Sequence, residues 1–256
     1  MTARVEYQPA YVLHRRPYRE TSSLVDLLTP DFGKVALVAK GARRTRSQEA
    51  ALIQPFQAVQ VSWLGRSDLK TLTSIEPRRH SPGSLAPDLV GDWLFAGFYI
   101  NELLEALLVQ QDPAPELFTL YEETLAGLRA RAPLEPGLRR FEKYVLELLG
   151  VGLDFCQDAE SGAVIEPEQY YLLIPDGGFV KLAADSTLSP VSPSDASSPL
   201  IVPGRVLLAL ADDEFAGAAN LRFAKQIMRR CIDAQLQGRR LRSRELFRHY
   251  KESHRV

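Results

Sequence analysis

A mixed α+β architecture is predicted for this 256-residue chain, and three features of the sequence predict it. Apolar and polar residues alternate with period two in short runs through the first eighty residues, with Pro, Gly and Asp clusters between the runs. After HSPGSLAPD the period lengthens to about 3.6, the spacing of amphipathic helices. Between the helical stretches, YYLLIPDGGFVKL reads as a β-hairpin. The expected organisation is a five-stranded barrel domain over 1–80 and the first part of a helical domain over 81–151. A small insert over 152–202 follows, and the C-terminal part of the helical domain, with its basic tail, occupies 203–256.

The strand-like runs lie at about 10–16, 22–29, 33–40, 55–64 and 69–76. Five is the strand count of an OB-fold barrel, whose closure removes most exposed edges and leaves one face and its loops free to hold nucleic acid. Between the third and fourth runs, SQEAALIQ opens with Ser47, a capping-type residue, so a helix is expected where the OB-fold has one. Asp88 to Gln110 reads as one long helix, apolar around much of its circumference and therefore central to a bundle. Helices near Pro115–Arg131 and Glu135–Leu149 follow, the second stopped by Gly150 and Gly152. The hairpin turns at Asp176-Gly177-Gly178, and LSPVSPSDASSP is a loop too polar to pack. A short helix near Gly204–Ala211, a strong one near Ala216–Gln237 and a basic one from about Ser243 complete the chain.

Composition excludes several classes. No stretch approaches the roughly 18 to 20 apolar residues of a membrane span, and MTARVEYQPAY has no signal-peptide core, so a soluble cytoplasmic protein is expected. Cys156 and Cys231 lie far apart and cannot make a four-ligand zinc site without several histidines converging. His14, His80, His249 and His254 have no ligand spacing and read as solvated side chains. Asp212, Asp213 and Glu214 are adjacent on a turn before a helix, where carboxylates serve as caps more readily than as metal ligands. The segment from Gly41 to Ser47 lacks the second glycine and the Lys-Ser/Thr pair of a phosphate-binding loop. No catalytic residue, no metal and no cofactor are expected.

Charge is the more informative quantity. The net charge of −1 conceals +6 over 1–80, −6 over 81–150, −9 over 151–221 and +8 over 222–256. From Arg4 to Arg46 nine basic residues face four acidic ones, and they gather in turns. Arg15, Arg16 and Arg19 form one group, Lys40, Arg43, Arg44 and Arg46 another, with Lys34 between them. Each phosphate neutralised by such a face releases counterions, so nucleic acid is the partner it fits. Tyr11, Tyr18, Phe32 and Trp63 are candidates to stack on bases. At the C-terminal end Arg239, Arg240 and Arg242 are further DNA-binding candidates, although a solvated helix end explains them nearly as well.

The helix LRRFEKYVLELLG carries Leu138, Phe141, Val145 and Leu148 on one stripe with Arg139, Arg140 and Lys143 beside it. Spacing alone leaves two readings open: a bundle helix with a basic outer edge, or a groove for an acidic, hydrophobic peptide.

The order YVLHRRPYRETSSLVDLLTPDFGKVALVAKGARR, LIQPFQAVQVSWLGRSDLKTL, GFYINELLEALL, LRRFEKYVLELLGVG and RSRELFRHY closely resembles the RecO family of bacterial DNA-repair proteins over nearly the whole chain. The resemblance implies an N-terminal OB domain, a helical domain and a mediator role in recombinational gap repair in the cytoplasm, associated with the nucleoid. It implies binding of single- and double-stranded DNA, annealing of complementary strands, and action with RecR to load recombinase onto coated single strands. It also implies a site for the acidic C-terminal tail of single-stranded-DNA-binding protein on the helix containing Arg139, Arg140, Phe141 and Lys143, with Arg139 as the principal clamp. An arginine fork suits a terminal carboxylate better than lysine does. Some relatives carry a four-cysteine zinc module after the bundle; only Cys156 remains in that region here, so zinc is not expected. The alternative function is a protein-interaction adaptor whose OB domain binds protein rather than DNA.

Overall fold

Strands β1 (Arg4–Tyr18), β2 (Ser22–Thr29), β3 (Gly33–Ala39), β4 (Ala58–Leu64) and β5 (Leu69–Pro77) close into a barrel of order β1-β2-β3-β5-β4 in the computed structural model, which describes residues 4–43, 49–78, 88–183, 198–215 and 217–253. Tight turns make β1, β2 and β3 an antiparallel meander, whereas β3 pairs β5 in parallel and therefore needs a crossover, supplied by the one-turn helix α1 (Glu49–Leu52) and β4. This is the OB-type barrel expected from the strand count. Alternate residues fill its interior, among them Val12, Val25, Leu37, Val61 and Trp63.

The first strand is twice the length expected from its apolar run. Its first half pairs β4 and its second half pairs β2, with register shifts between Val5 and Gln8 and between Val12 and His14. Tyr7 takes a left-handed φ of 52° at the first shift. Such irregularities bend one strand enough to serve both sides of a closing barrel, which alternation in sequence does not register.

All residues of β2 and β3 are buried, so both sheet faces are covered. The outer face lies under α2 (Gly91–Leu107) and α3 (Pro115–Arg129). Asn101 Nδ2 donates to the Leu13 carbonyl at 2.7 Å and Asn101 Oδ1 accepts from the Tyr121 hydroxyl at 2.6 Å, while the Tyr11 hydroxyl donates to Glu122 at 2.7 Å. Helix α2 stops at Leu107 rather than Gln110, because Leu108 turns extended and Gln110 bridges to β3. Gly33 admits that approach: a Cβ there would sit 1.7 Å from the Asp112 carbonyl oxygen, and its φ is 56°. The last helix, α7 (Arg242–Ser253), packs on α2 through Phe95 against Phe247 and Tyr250.

The chain divides into two units, one of residues 1–132 with 241–256 and the other of 133–240. Two of the helices assigned to a bundle by periodicity, α2 and α3, thus belong with the barrel. The second unit contains α4 (Leu134–Leu148), a hairpin of β6 (Tyr170–Ile174) and β7 (Gly178–Lys181), β8 (Ile201–Pro203), α5 (Gly204–Ala211) and α6 (Ala218–Gln235). Strand β8, three residues long and too short to announce itself, adds to β6 to give the order β7-β6-β8. Leu138, Phe141 and Val145 of α4 are buried, as are Ile227, Met228 and Cys231 of α6, which packs on it; Leu148, expected on the same stripe, is exposed. Burial pushes the Cys231 thiol up to about 12. No helix of the described residues is long and apolar enough to cross a membrane.

Candidate nucleic-acid interface

The β1–β2–β3 meander brings two of the basic groups to the same end of the barrel. The β1–β2 turn and the chain leaving β3 are neighbours there: the Arg43 amide donates to the Thr21 carbonyl at 3.0 Å, and Arg43 Nη1 reaches the carbonyls of Arg19 and Glu20 at 3.2 and 3.3 Å. Arg16, Arg19, Lys40 and Arg43 are exposed, and the Arg19 guanidinium stands 5.3 Å from the Tyr18 ring centroid. Arg15 is half-buried, its Nη1 3.4 Å from the Ala50 carbonyl in α1. Arg44 and Arg46 lie outside the described residues. The result is a rim of cations with few carboxylates among them, suited to phosphates.

Several expected residues are placed elsewhere. Lys34 is buried under α2 and its ammonium donates to the Glu105 carbonyl at 2.7 Å, so it ties a helix to the barrel instead of facing a ligand. A cation within a period-two run looks surface-directed until a helix covers the outer face. Tyr11 and Trp63 are core residues, and Phe32 packs edge-on against Trp63 at 5.2 Å, which removes them from the stacking set. Tyr7, outside the expected stacking set, is 63% exposed on β1. Arg239 and Arg240 are exposed after α6 in the second unit, whereas Arg242 is exposed at the start of α7 in the first.

The α4 cluster is also reassigned. Arg139 is 6% exposed and pairs with Glu142 at 2.8 Å. Phe141 is core, and the Lys143 ammonium donates to the Leu210 and Ala211 carbonyls and to Asp213 at 2.7 to 3.1 Å. Lys143 thereby satisfies the C-terminal end of α5, where unpaired carbonyls concentrate negative charge. Of the four residues expected to clamp a peptide, Arg140 alone is exposed; it approaches Asp213 at 3.6 Å. The second unit instead has a groove of about 420 Å³ between β8, α5 and α6, lined by Ile201, Val206 and Phe223 with the exposed Arg205 and Arg222.

A further cluster was not legible in spacing: His14 on β1, Asp26 on β2 and Glu105 on α2 converge. The Asp26 carboxylate raises the His14 imidazole above its ordinary range against the opposing effect of partial burial. Burial, with the Asp26 charge, raises the Glu105 carboxyl. In the segment that carries Cys156, which is exposed, the chain is organised by Asp158.

An OB-type barrel whose rim carries the exposed Arg16, Arg19, Lys40 and Arg43 is an architecture suited to holding phosphates. The comparisons with known proteins are specific: residues 1–80 match the family described as recombination protein O N terminal, and residues 91–245 match recombination protein O C terminal. Proteins named DNA repair protein RecO are similar over nearly full length. That of Methylococcus capsulatus is 44% identical over 246 residues, covering 96% of this chain and 94% of the relative. That of Pseudomonas aeruginosa is 42% identical over 247 residues, covering 96% of each, and that of Cellvibrio japonicus 41% over 244, covering 95% and 97%. The chain belongs to the RecO family of DNA repair proteins.

Proposed function

We propose that this protein is a non-enzymatic recombination mediator in DNA gap repair. It binds single- and double-stranded DNA, anneals complementary strands and, with RecR, helps load recombinase onto single strands coated by single-stranded-DNA-binding protein. The observation that carries the reading is the exposed rim of Arg16, Arg19, Lys40 and Arg43 on an OB-type barrel in a chain of this family. Cations at the rim hold two phosphate backbones near each other and cut their mutual repulsion, and base pairing then supplies the sequence specificity. Nothing in that sequence of events requires nucleotide hydrolysis, so annealing by the isolated protein is independent of ATP.

The acidic tail of single-stranded-DNA-binding protein is assigned to the groove bearing Arg205 and Arg222. Ile201, Val206 and Phe223 in its lining, with the exposed Arg205 and Arg222, suit an acidic, hydrophobic segment.

Annealing of complementary labelled oligonucleotides tests the rim. The triple variant Arg16→Glu, Arg19→Glu and Lys40→Glu is expected to lose DNA affinity by roughly a hundredfold or more at low salt, as reversal of several phosphate contacts requires. Arg43 is left intact because it holds the turn carbonyls. Wild-type annealing by the triple variant would sink the assignment. The alternative, an adaptor whose barrel binds protein, draws on the burial of Tyr11 and Trp63, which leaves fewer aromatic platforms for bases. Absence of single-strand binding at micromolar protein in physiological buffer would favour it.

A further inference from the structure

We infer that His14, Asp26 and Glu105 form a binding site for one divalent transition-metal ion, of which Zn²⁺ is the representative, clamping the outer face of the barrel to α2. His14 and Asp26 are directly paired across β1 and β2, and Glu105 descends on them from the helix above. Their donor atoms all lie within 4.8 Å of one another, with His14 Nδ1 and Asp26 Oδ2 3.8 Å apart. Ligands around a tetrahedral zinc are about 3.3 Å apart for metal–ligand bonds of about 2.0 Å, so small side-chain rotations close the set.

A second observation points to a ligand. Asp26 is 3% exposed, and its Oδ2, directed into the cluster, has no hydrogen-bond donor among the described residues; His14 stands off at 3.8 Å, beyond hydrogen-bond distance. Buried carboxylate oxygens ordinarily have a donor or a cation against them. One imidazole nitrogen with two carboxylate oxygens is a set that suits Zn²⁺ and its neighbours, while Mg²⁺ and Ca²⁺ prefer oxygen alone. His14 is half exposed, which gives an ion a path in and leaves a position for water. The charges facing the cluster are Arg16 on β1 and Lys34 on β3, whose ammonium is held by the Glu105 carbonyl. They oppose a cation, so the affinity expected is micromolar rather than that of a closed structural site.

The test uses the full chain carrying Cys156→Ser, which removes the exposed thiol, stripped with chelator and desalted. Calorimetric titration with ZnCl₂ and the visible spectrum of the Co²⁺ form read binding, and thermal unfolding reads the clamp. One equivalent is expected, with a rise in Tm on zinc addition. His14→Ala and, separately, Glu105→Gln should each weaken binding at least tenfold and abolish the Tm rise, circular dichroism confirming that both fold. His14 is half exposed, so its removal leaves the fold intact even where Asp26→Asn would not. No binding, binding of Mg²⁺ in preference to zinc, or zinc affinity unchanged in both variants would each overturn the site.

Discussion

Asp158 shows how one carboxylate organises a segment that has little apolar content. It accepts from the amides of Glu160, Ser161 and Lys181 and from the Ser161 hydroxyl at 2.6 to 3.2 Å, which together hold its acid down to about 2. A carboxyl whose folded pKa is depressed contributes stability above its unfolded pKa, near 4, and loses that contribution as pH falls toward 2. Acid titration of unfolding should therefore show a loss between about pH 4 and 2 that is missing in Asp158→Ala, which is itself expected to be about 2 kcal/mol less stable at neutral pH by denaturant melts. Arg139 and Arg140 are a sharper contrast, being adjacent in sequence and different in duty. Removing Arg139 breaks a buried ion pair, so Arg139→Ala should cost about 3 kcal/mol, whereas Arg140→Ala at the surface should cost less than about 0.5 kcal/mol. Equal losses in chemical denaturation would contradict that division. The sequence shows both arginines beside an apolar stripe, and only the packing partners separate them.

Helix α7 owes its position to α2 at both ends. Glu102 accepts from the Arg242 and Ser243 amides and the Ser243 hydroxyl at 2.6 to 2.8 Å, placing a carboxylate where the first turn presents unpaired N–H groups. Near the other end Phe247 and Tyr250 pack on Phe95 and Lys251 reaches Asp92. Glu102→Ala should thus loosen the start of α7 by about 1 to 2 kcal/mol, read as faster amide exchange over 242–246 with the barrel strands unaffected. At this scale much was legible: the five barrel strands, the three long central helices and the hairpin all follow from period and turn residues. Helix ends moved by a few residues where a bridge or a tight approach won over periodicity, as at Gln110. Strand β8 and the long first strand escaped because three residues carry no period and a bulge breaks one.

Across the whole molecule the net charge of −1 says little, since the cations are segregated. The barrel rim and α7 belong to one unit, although almost two hundred residues separate Arg43 from Arg242. Single-strand affinity should fall with salt at a log–log slope of about −0.7 per phosphate engaged, near −4 for the four rim cations together with Arg242 and Arg248. Arg242→Glu with Arg248→Glu should flatten that slope by about one unit; an unchanged slope would confine the DNA site to the rim. What the sequence determined by itself was the class of fold, the family and the wealth of cations at the two ends, because periodicity, turn chemistry and charge are local properties of the chain. What only the tertiary structure decided was which charges face outward. Lys34, Arg139 and Lys143 were turned inward by helices and carbonyls distant in sequence, while His14, Asp26 and Glu105 were gathered from three elements, and burial of that kind is a property of the packing that no spacing encodes.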